Sequence, residues 1–194
     1  MKTVKFNSVN EIIIKNSRFI TLLIKIDDTT DVNMIFDSVK GEYPKATHYC
    51  YAYITKSFKK SSDDGEPGGT AGMPMLNVLE KEEMINTLAI TVRYFGGIKL
   101  GAGGLVRAYS KSVRDAIIST ETIEIEEGYK VKIIVSYDEQ KNLDYILKGY
   151  PIINKTFLED ITYIVLIPKN KITVLSNYSY QIIAEEYIEK NSLD

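Results

Sequence analysis

One cysteine, one histidine and no tryptophan occur among the 194 residues. With Cys50 alone, no intrachain disulfide can form, and a single free thiol fits a reducing cytosol. With His48 alone, any catalytic pair or metal cluster that needs two imidazoles is excluded. Positive charge is not in excess: 24 Lys and Arg face 26 Asp and Glu, a net charge of −2. No global basic field therefore condenses nucleic acid. No stretch reaches the roughly 20 apolar residues that span a bilayer. The start, MKTVKFNSVNEIII, lacks the apolar core and small-residue cleavage site of a signal peptide. The expectation is a cytoplasmic protein without a membrane partner.

Glycine is scarce except in two places. Nine of the 12 fall in SSDDGEPGGTAGMP (61–74) and RYFGGIKLGAGGLVRAYS (93–110). Glycine tolerates positive φ and close backbone approach but costs entropy, so such clusters mark loops that a core would not gather. Loops on a rigid scaffold commonly carry binding groups.

Hydrophobic content of 44% with 14 Tyr favours a strand-rich α/β or α+β fold. Ile12–Ile14 and Arg18–Ile26 read as a hairpin around residues 15–17. Asp28 or Thr29 can cap a helix through Val32, Ile35, Phe36 and Val39, with Gly41 as its stop. Tyr49, Tyr51 and Tyr53 alternate with Cys50, Ala52 and Ile54 as a strand. Met75–Met84 has helical spacing, Leu88–Tyr94 is a compact strand, and Leu105–Ser119 is an amphipathic helix. The pattern restarts near Glu126–Gly128, dividing the chain into 1–125 and 126–194. The second part reads strand 129–137, helix 138–148, strands 152–157 and 161–167, helix 169–178 and strand 181–188. That βαββαβ order suggests a ferredoxin-like unit, an antiparallel sheet with two helices on one face.

The second loop runs into a helix, a geometry that points unpaired N–H groups at one spot. Gly96, Gly97, Gly101, Gly103 and Gly104 can supply those amides, and Arg93 and Lys99 lie close by. Arg107, Lys111 and Arg114 follow at spacings of four and three, so they share one helix face. Phosphate oxygens suit that combination, and Tyr94, Phe95 and Tyr109 can stack on bases. The competing reading is architectural: the glycine pairs let a helix cross close to a strand, and Arg93 pairs with Asp63 or Asp64. In the first loop, Asp63, Asp64 and Glu66 can hold Mg²⁺ or transfer protons, or can form turns and salt bridges with the basic loop. Gly65, Gly69 and Thr70 complete this secondary site. His48 and Cys50 share one strand face. A nucleophilic pair there competes with two buried neighbours. No residue set calls for a cofactor or a resident metal.

His48-Tyr-Cys-Tyr-Ala52, Asp63-Asp-Gly-Glu-Pro67, Gly69-Thr-Ala-Gly72, Arg93-Tyr-Phe-Gly-Gly-Ile-Lys-Leu-Gly101 and Gly103-Gly-Leu-Val-Arg107-Ala-Tyr109 resemble, in order, the signatures of the YigZ/IMPACT family. The resemblance implies an N-terminal domain like the second domain of ribosomal protein S5, with a left-handed βαβ crossover. It implies a ferredoxin-like C-terminal domain similar to the last domain of elongation factor G. Both relatives touch ribosomal RNA or act on the ribosome; the eukaryotic members regulate translation by competing for a ribosome-associated kinase activator and carry an additional partner-binding domain that this sequence is not expected to contain.

From residue 126 onward there are eight Lys and no Arg against 11 acids, which disfavours RNA and favours a protein partner for that domain. The expectation is therefore a non-enzymatic protein that binds RNA or a ribosome-associated component and modulates translation. An enzyme for a small anionic substrate, Mg²⁺-dependent or not, and a pure interaction adaptor are the alternatives.

Overall fold

A computed structural model describes residues 1–190 of the chain. Two compact units divide between Ile123 and Glu124. The first contains β1 (Lys2–Val4), β2 (Ser8–Ile14), β3 (Ser17–Lys25), α1 (Val32–Glu42), β4 (His48–Ile54), β5 (Lys59–Ser62), α2 (Gly72–Lys81), β6 (Thr87–Tyr94) and α3 (Ala102–Ile118). Its five-stranded sheet has the order β2-β3-β6-β4-β5, with every neighbouring pair antiparallel.

Alternation along these strands gives the sheet two buried faces. Ile20, Leu22, Leu88, Ile90 and Val92 pack under α1, joined by Phe36, Tyr49, Tyr51 and Tyr53. The intervening residues Phe19, Thr21, Cys50, Ala52, Ala89 and Thr91 turn the other way, toward α2 and α3. With both faces covered, β6 is buried through seven of its eight residues and shows no polar alternation. Thr21 Oγ1 bonds both Thr91 Oγ1 and Ser112 Oγ, fastening α3 to the sheet inside the core.

Local chemistry moves several boundaries from their expected places. Asp31, not Asp28 or Thr29, caps α1, accepting from the amides of Asn33 and Met34. Asp28 instead accepts from the Ser57 amide and hydroxyl. Gly41 does not stop α1, which runs on to Glu42. Among the described residues no helix is long and apolar enough to cross a membrane.

The second unit follows along β7 (Thr122–Val135), which runs through the division. It continues with α4 (Gln140–Ile146), β8 (Ile152–Phe157), β9 (Ile161–Pro168), a 3-10 helix (Lys169–Leu175) and β10 (Tyr180–Glu189). Strand order β10-β7-β9-β8, all antiparallel, is the ferredoxin-like arrangement. Val131, Ile133, Tyr163, Val165 and Ile167 line the face covered by Leu143, Leu147 and Leu175. The second helix is 3-10 rather than α, in keeping with consecutive Ile172, Thr173 and Val174, whose branched Cβ atoms crowd an α-helical turn. Ser136 donates from its amide and hydroxyl to Glu139, so a turn precedes α4 and the helix starts late.

Candidate functional site

Register places the functional side chains on the α2/α3 side of the sheet. Arg93 on β6 lies opposite His48 on β4 and opposite Phe19 on β3. The Arg93 guanidinium sits 5.4 Å from the centroid of the Phe19 ring and 5.5 Å from that of Phe95. Tyr109 of α3 is fully buried and packs edge-on against Phe19.

Glu66 brings these groups together. It is 7% exposed, and its Oε1 accepts from Arg93 Nη1 at 2.5 Å and from the Tyr109 hydroxyl at 2.8 Å. Its Oε2 lies 3.7 Å from His48 Nε2, too far for a hydrogen bond. His48 Nδ1 lies 2.8 Å from the Asp64 carbonyl. Burial, with Cys50 and Glu66 nearby, pushes the Tyr109 phenol far above the ordinary range, so it stays protonated and donates. Burial likewise pushes the Cys50 thiol up to about 12. That thiol donates to the Asp63 carbonyl at 2.9 Å and lies 3.3 Å from the Tyr109 hydroxyl. A buried neutral thiol is not a nucleophile, which removes the Cys–His pair.

In the first loop the three carboxylates diverge. Asp63 accepts from the amides of Gly69, Ala71 and Gly72 at 2.8–2.9 Å. Burial alone would raise its pKa, but those three donors outweigh it and hold the carboxyl below its usual range. The amides that could cradle a ligand anion are thus filled by the chain's own aspartate. Asp64 accepts from the Tyr49 amide at 2.6 Å, and buried Thr70 donates its hydroxyl to the Pro67 carbonyl. Gly65 packs beside the His48 ring. Asp63, Asp64, Gly69 and Thr70 therefore build the loop, and the three acids do not converge on a cation.

The second loop divides between architecture and open surface. Gly96 is architectural: a Cβ there would collide with the Asn16 carbonyl, and its amide donates to Ser17 Oγ at 3.1 Å. Arg93 is a correction of a different kind. At 5% exposure and tied to Glu66, it belongs to the interior and not to a basic surface. It pairs with neither Asp63 nor Asp64. Tyr109 likewise cannot stack on a base. Gly97 and Lys99 are exposed. Gly101 caps α3 at φ 71°, a conformation that favours glycine, and provides no side-chain cap for the first amides of the helix. Gly103 is exposed and Gly104 packs against Leu100.

Beyond this turn, Arg107, Lys111 and Arg114 are all exposed on one face of α3. Lys111 pairs with Asp115 one turn on, and both side chains keep solvent contact. Neither Arg107 nor Arg114 has an ion-pair partner among the described residues.

Between the two loops lies a cavity of about 430 Å³, whose walls include His48, Glu66, Arg93, Phe95, Lys99 and Ala102. Thr47, Pro67, Leu100, Gly101 and Leu105 complete it, and of these Thr47 lies outside the sequence motifs. The Glu66–Arg93–Tyr109 cluster was equally hidden, because it joins three elements and no periodicity relates them.

Residues 15–117 match the Impact N-terminal domain family. The chain is 45% identical over 125 residues to the IMPACT family member YvyE of Bacillus subtilis, a match spanning 63% of this chain and 58% of that protein. It is 36% identical over 171 residues to an IMPACT family member of Haemophilus influenzae, covering 84% and 83% of the two chains. A crystal structure described as that of a hypothetical protein superposes with a TM-score of 0.64 at 31% identity, over 98% of both chains. The protein belongs to the IMPACT family.

Proposed function

We propose that this protein modulates translation by binding RNA, on the ribosome or on a ribosome-associated component, through phosphate contacts along α3. The observation that carries the reading is the exposed face of Arg107, Lys111 and Arg114, with both arginines free of acidic partners among the described residues. On a protein of net charge −2, two unneutralised guanidinium groups two turns apart on one helix face are a local feature that the global charge does not explain. Each can grip a phosphate bidentately. Lys111 can join them, because an exposed i,i+4 pair is worth only about 0.3–0.5 kcal/mol and exchanges readily for phosphate. Lys99 and the uncapped start of α3 extend the same positive edge. Family membership supports a role in translation, and the reading is non-enzymatic and cytoplasmic.

In the second unit we assign a protein partner to the sheet face opposite its core. That face carries Ile134, half exposed, beside Ile164 and Leu166. Its lysines are interspersed with acids, and Lys130 and Lys169 are both held by glutamates.

Cosedimentation with purified ribosomes tests the main reading. The variant R107E/R114E is expected to lose salt-sensitive association while keeping its circular dichroism spectrum. Undiminished cosedimentation of that folded variant overturns the assignment. Association that survives RNase digestion favours the protein adaptor instead.

A further inference from the structure

We infer that the cavity between the two glycine-rich loops is a binding site for a small anion bearing its own hydrogen-bond donor, a hydroxyl or primary amine beside a carboxylate or phosphate. His48 sets the polarity of the site. A backbone carbonyl only accepts, so the 2.8 Å contact to the Asp64 oxygen requires that Nδ1 carry the ring hydrogen. In the neutral ring Nε2 is then a bare acceptor. It faces Glu66 Oε2 at 3.7 Å, a second acceptor. Two acceptors 3.7 Å apart on the wall of a cavity leave a place for a donor. An amine nitrogen placed about 2.8 Å from both can donate to each, whereas a hydroxyl, with one hydrogen, donates to one of the two.

Other groups in the cavity ask for the opposite. Arg93 is 5% exposed, yet its Nε is buried without a hydrogen-bond partner. A buried N–H left unpaired is costly and uncommon. Arg93 borders the cavity, and with its Nη1 spent on Glu66 its Nε is left without an acceptor. Lys99 is exposed where it borders the cavity, and Ala102 there opens α3 behind a Gly101 that supplies no side-chain cap. A helix start of this kind favours an anion. Phe95, Leu100 and Leu105 line the rest with apolar surface. A volume of about 430 Å³ lies within the range of small-ligand sites. Acceptors at one place, donors and positive charge at another, and apolar walls define a ligand that carries both polarities over a short distance.

Arg107, Lys111 and Arg114, which carry the RNA reading, do not border the cavity; Lys99 and the start of α3 are shared, so the RNA reading is tested at the two arginines and the cavity at the His48 ring. The two proposals therefore fail separately.

His48 is the protein's one histidine, so its ring nitrogens give unique signals in a ¹⁵N-labelled full-length sample. At alkaline pH the free protein is expected to show Nδ1 protonated and Nε2 bare. Glycerate, glycine and ribose 5-phosphate are the probes, with acetate and sulfate as donor-free controls. At least one probe is expected to move Nε2 at millimolar concentration, and whether glycine or the hydroxylated acids do so identifies the donor. The controls are expected to leave Nε2 in place. The K99A variant, which alters only the rim, is expected to keep the tautomer and weaken binding about tenfold. The inference is overturned by a ring protonated at Nε2, by a doubly protonated ring paired with Glu66, by probes and controls that act alike, or by no response at tens of millimolar.

Discussion

The Glu66–Arg93 pair offers the sharpest energetic test. The two residues are 7% and 5% exposed and meet at 2.5 Å. Taking both charges out of water is expensive, so the pair adds little net stability, but breaking it strands one charge in the interior. R93M keeps most of the stem volume and leaves the Glu66 carboxylate with only the Tyr109 hydroxyl as donor. A cost of about 3–5 kcal/mol is expected. E66Q preserves an oxygen acceptor for both partners yet leaves the guanidinium uncompensated, for a cost of roughly 2–3 kcal/mol. Combining them removes both charges at once. The double variant is therefore expected to lose at least about 2 kcal/mol less than the two single losses added together. Equilibrium urea unfolding followed by circular dichroism measures all four proteins. Losses that add to within about 0.5 kcal/mol refute the claim that these charges stabilise each other in the interior.

Two further outcomes follow from the first loop. Asp63 has a folded pKa below its ordinary value, so its contribution is present above about pH 4 and lost as pH falls through the folded value. D63N is expected to be less stable at neutral pH and to show a flatter loss of stability below pH 4, read from urea midpoints across pH. An acid limb identical to that of the parent contradicts the assignment of three amide donors to that carboxylate. Cys50, buried and pushed up to about 12, is expected to resist thiol reagents at pH 8 in the native protein and to react on unfolding. Rapid modification of the folded chain contradicts its placement beneath Tyr109.

Much of the first unit was legible because periodicity reports burial. The tyrosine alternation of β4, the apolar run of β6 and the helical spacing of α3 each follow from one element lying against one neighbour. Boundaries that depended on one side chain's choice of partner were not legible. Asp28, Thr29 and Asp31 can each cap a helix, and the engagement of Asp28 with Ser57 and of Thr29 with Asp27 leaves Asp31 to start α1. Edge strand β5 has no apolar run to signal it, since KKSS pairs through backbone alone. β7 crosses the boundary expected near Glu126 because its alternation continues from one unit into the next.

The site divided along the same line. Arg107, Lys111 and Arg114 share one exposed face of α3, which their spacing reports, and Lys99 lies in the loop just before that helix. Arg93 fell in the same sequence neighbourhood but in a strand whose parity turns it inward, where Glu66, from a loop 27 residues earlier, neutralises it. His48 drew notice as a lone histidine. Its tautomer is fixed by the Asp64 carbonyl, which no sequence pattern reports.

The basic edge of α3 is the central claim, and the salt dependence of RNA binding tests it most directly. For a single strand, the slope of log K against log salt falls by about 0.7 for each phosphate contact. Fluorescence anisotropy with a short unstructured RNA is expected to give a slope of about −2 for the parent, for three contacts. R107A/R114A is expected to flatten it by roughly 1.4. A slope that is near zero in the parent, or unchanged when both arginines are removed, contradicts the account.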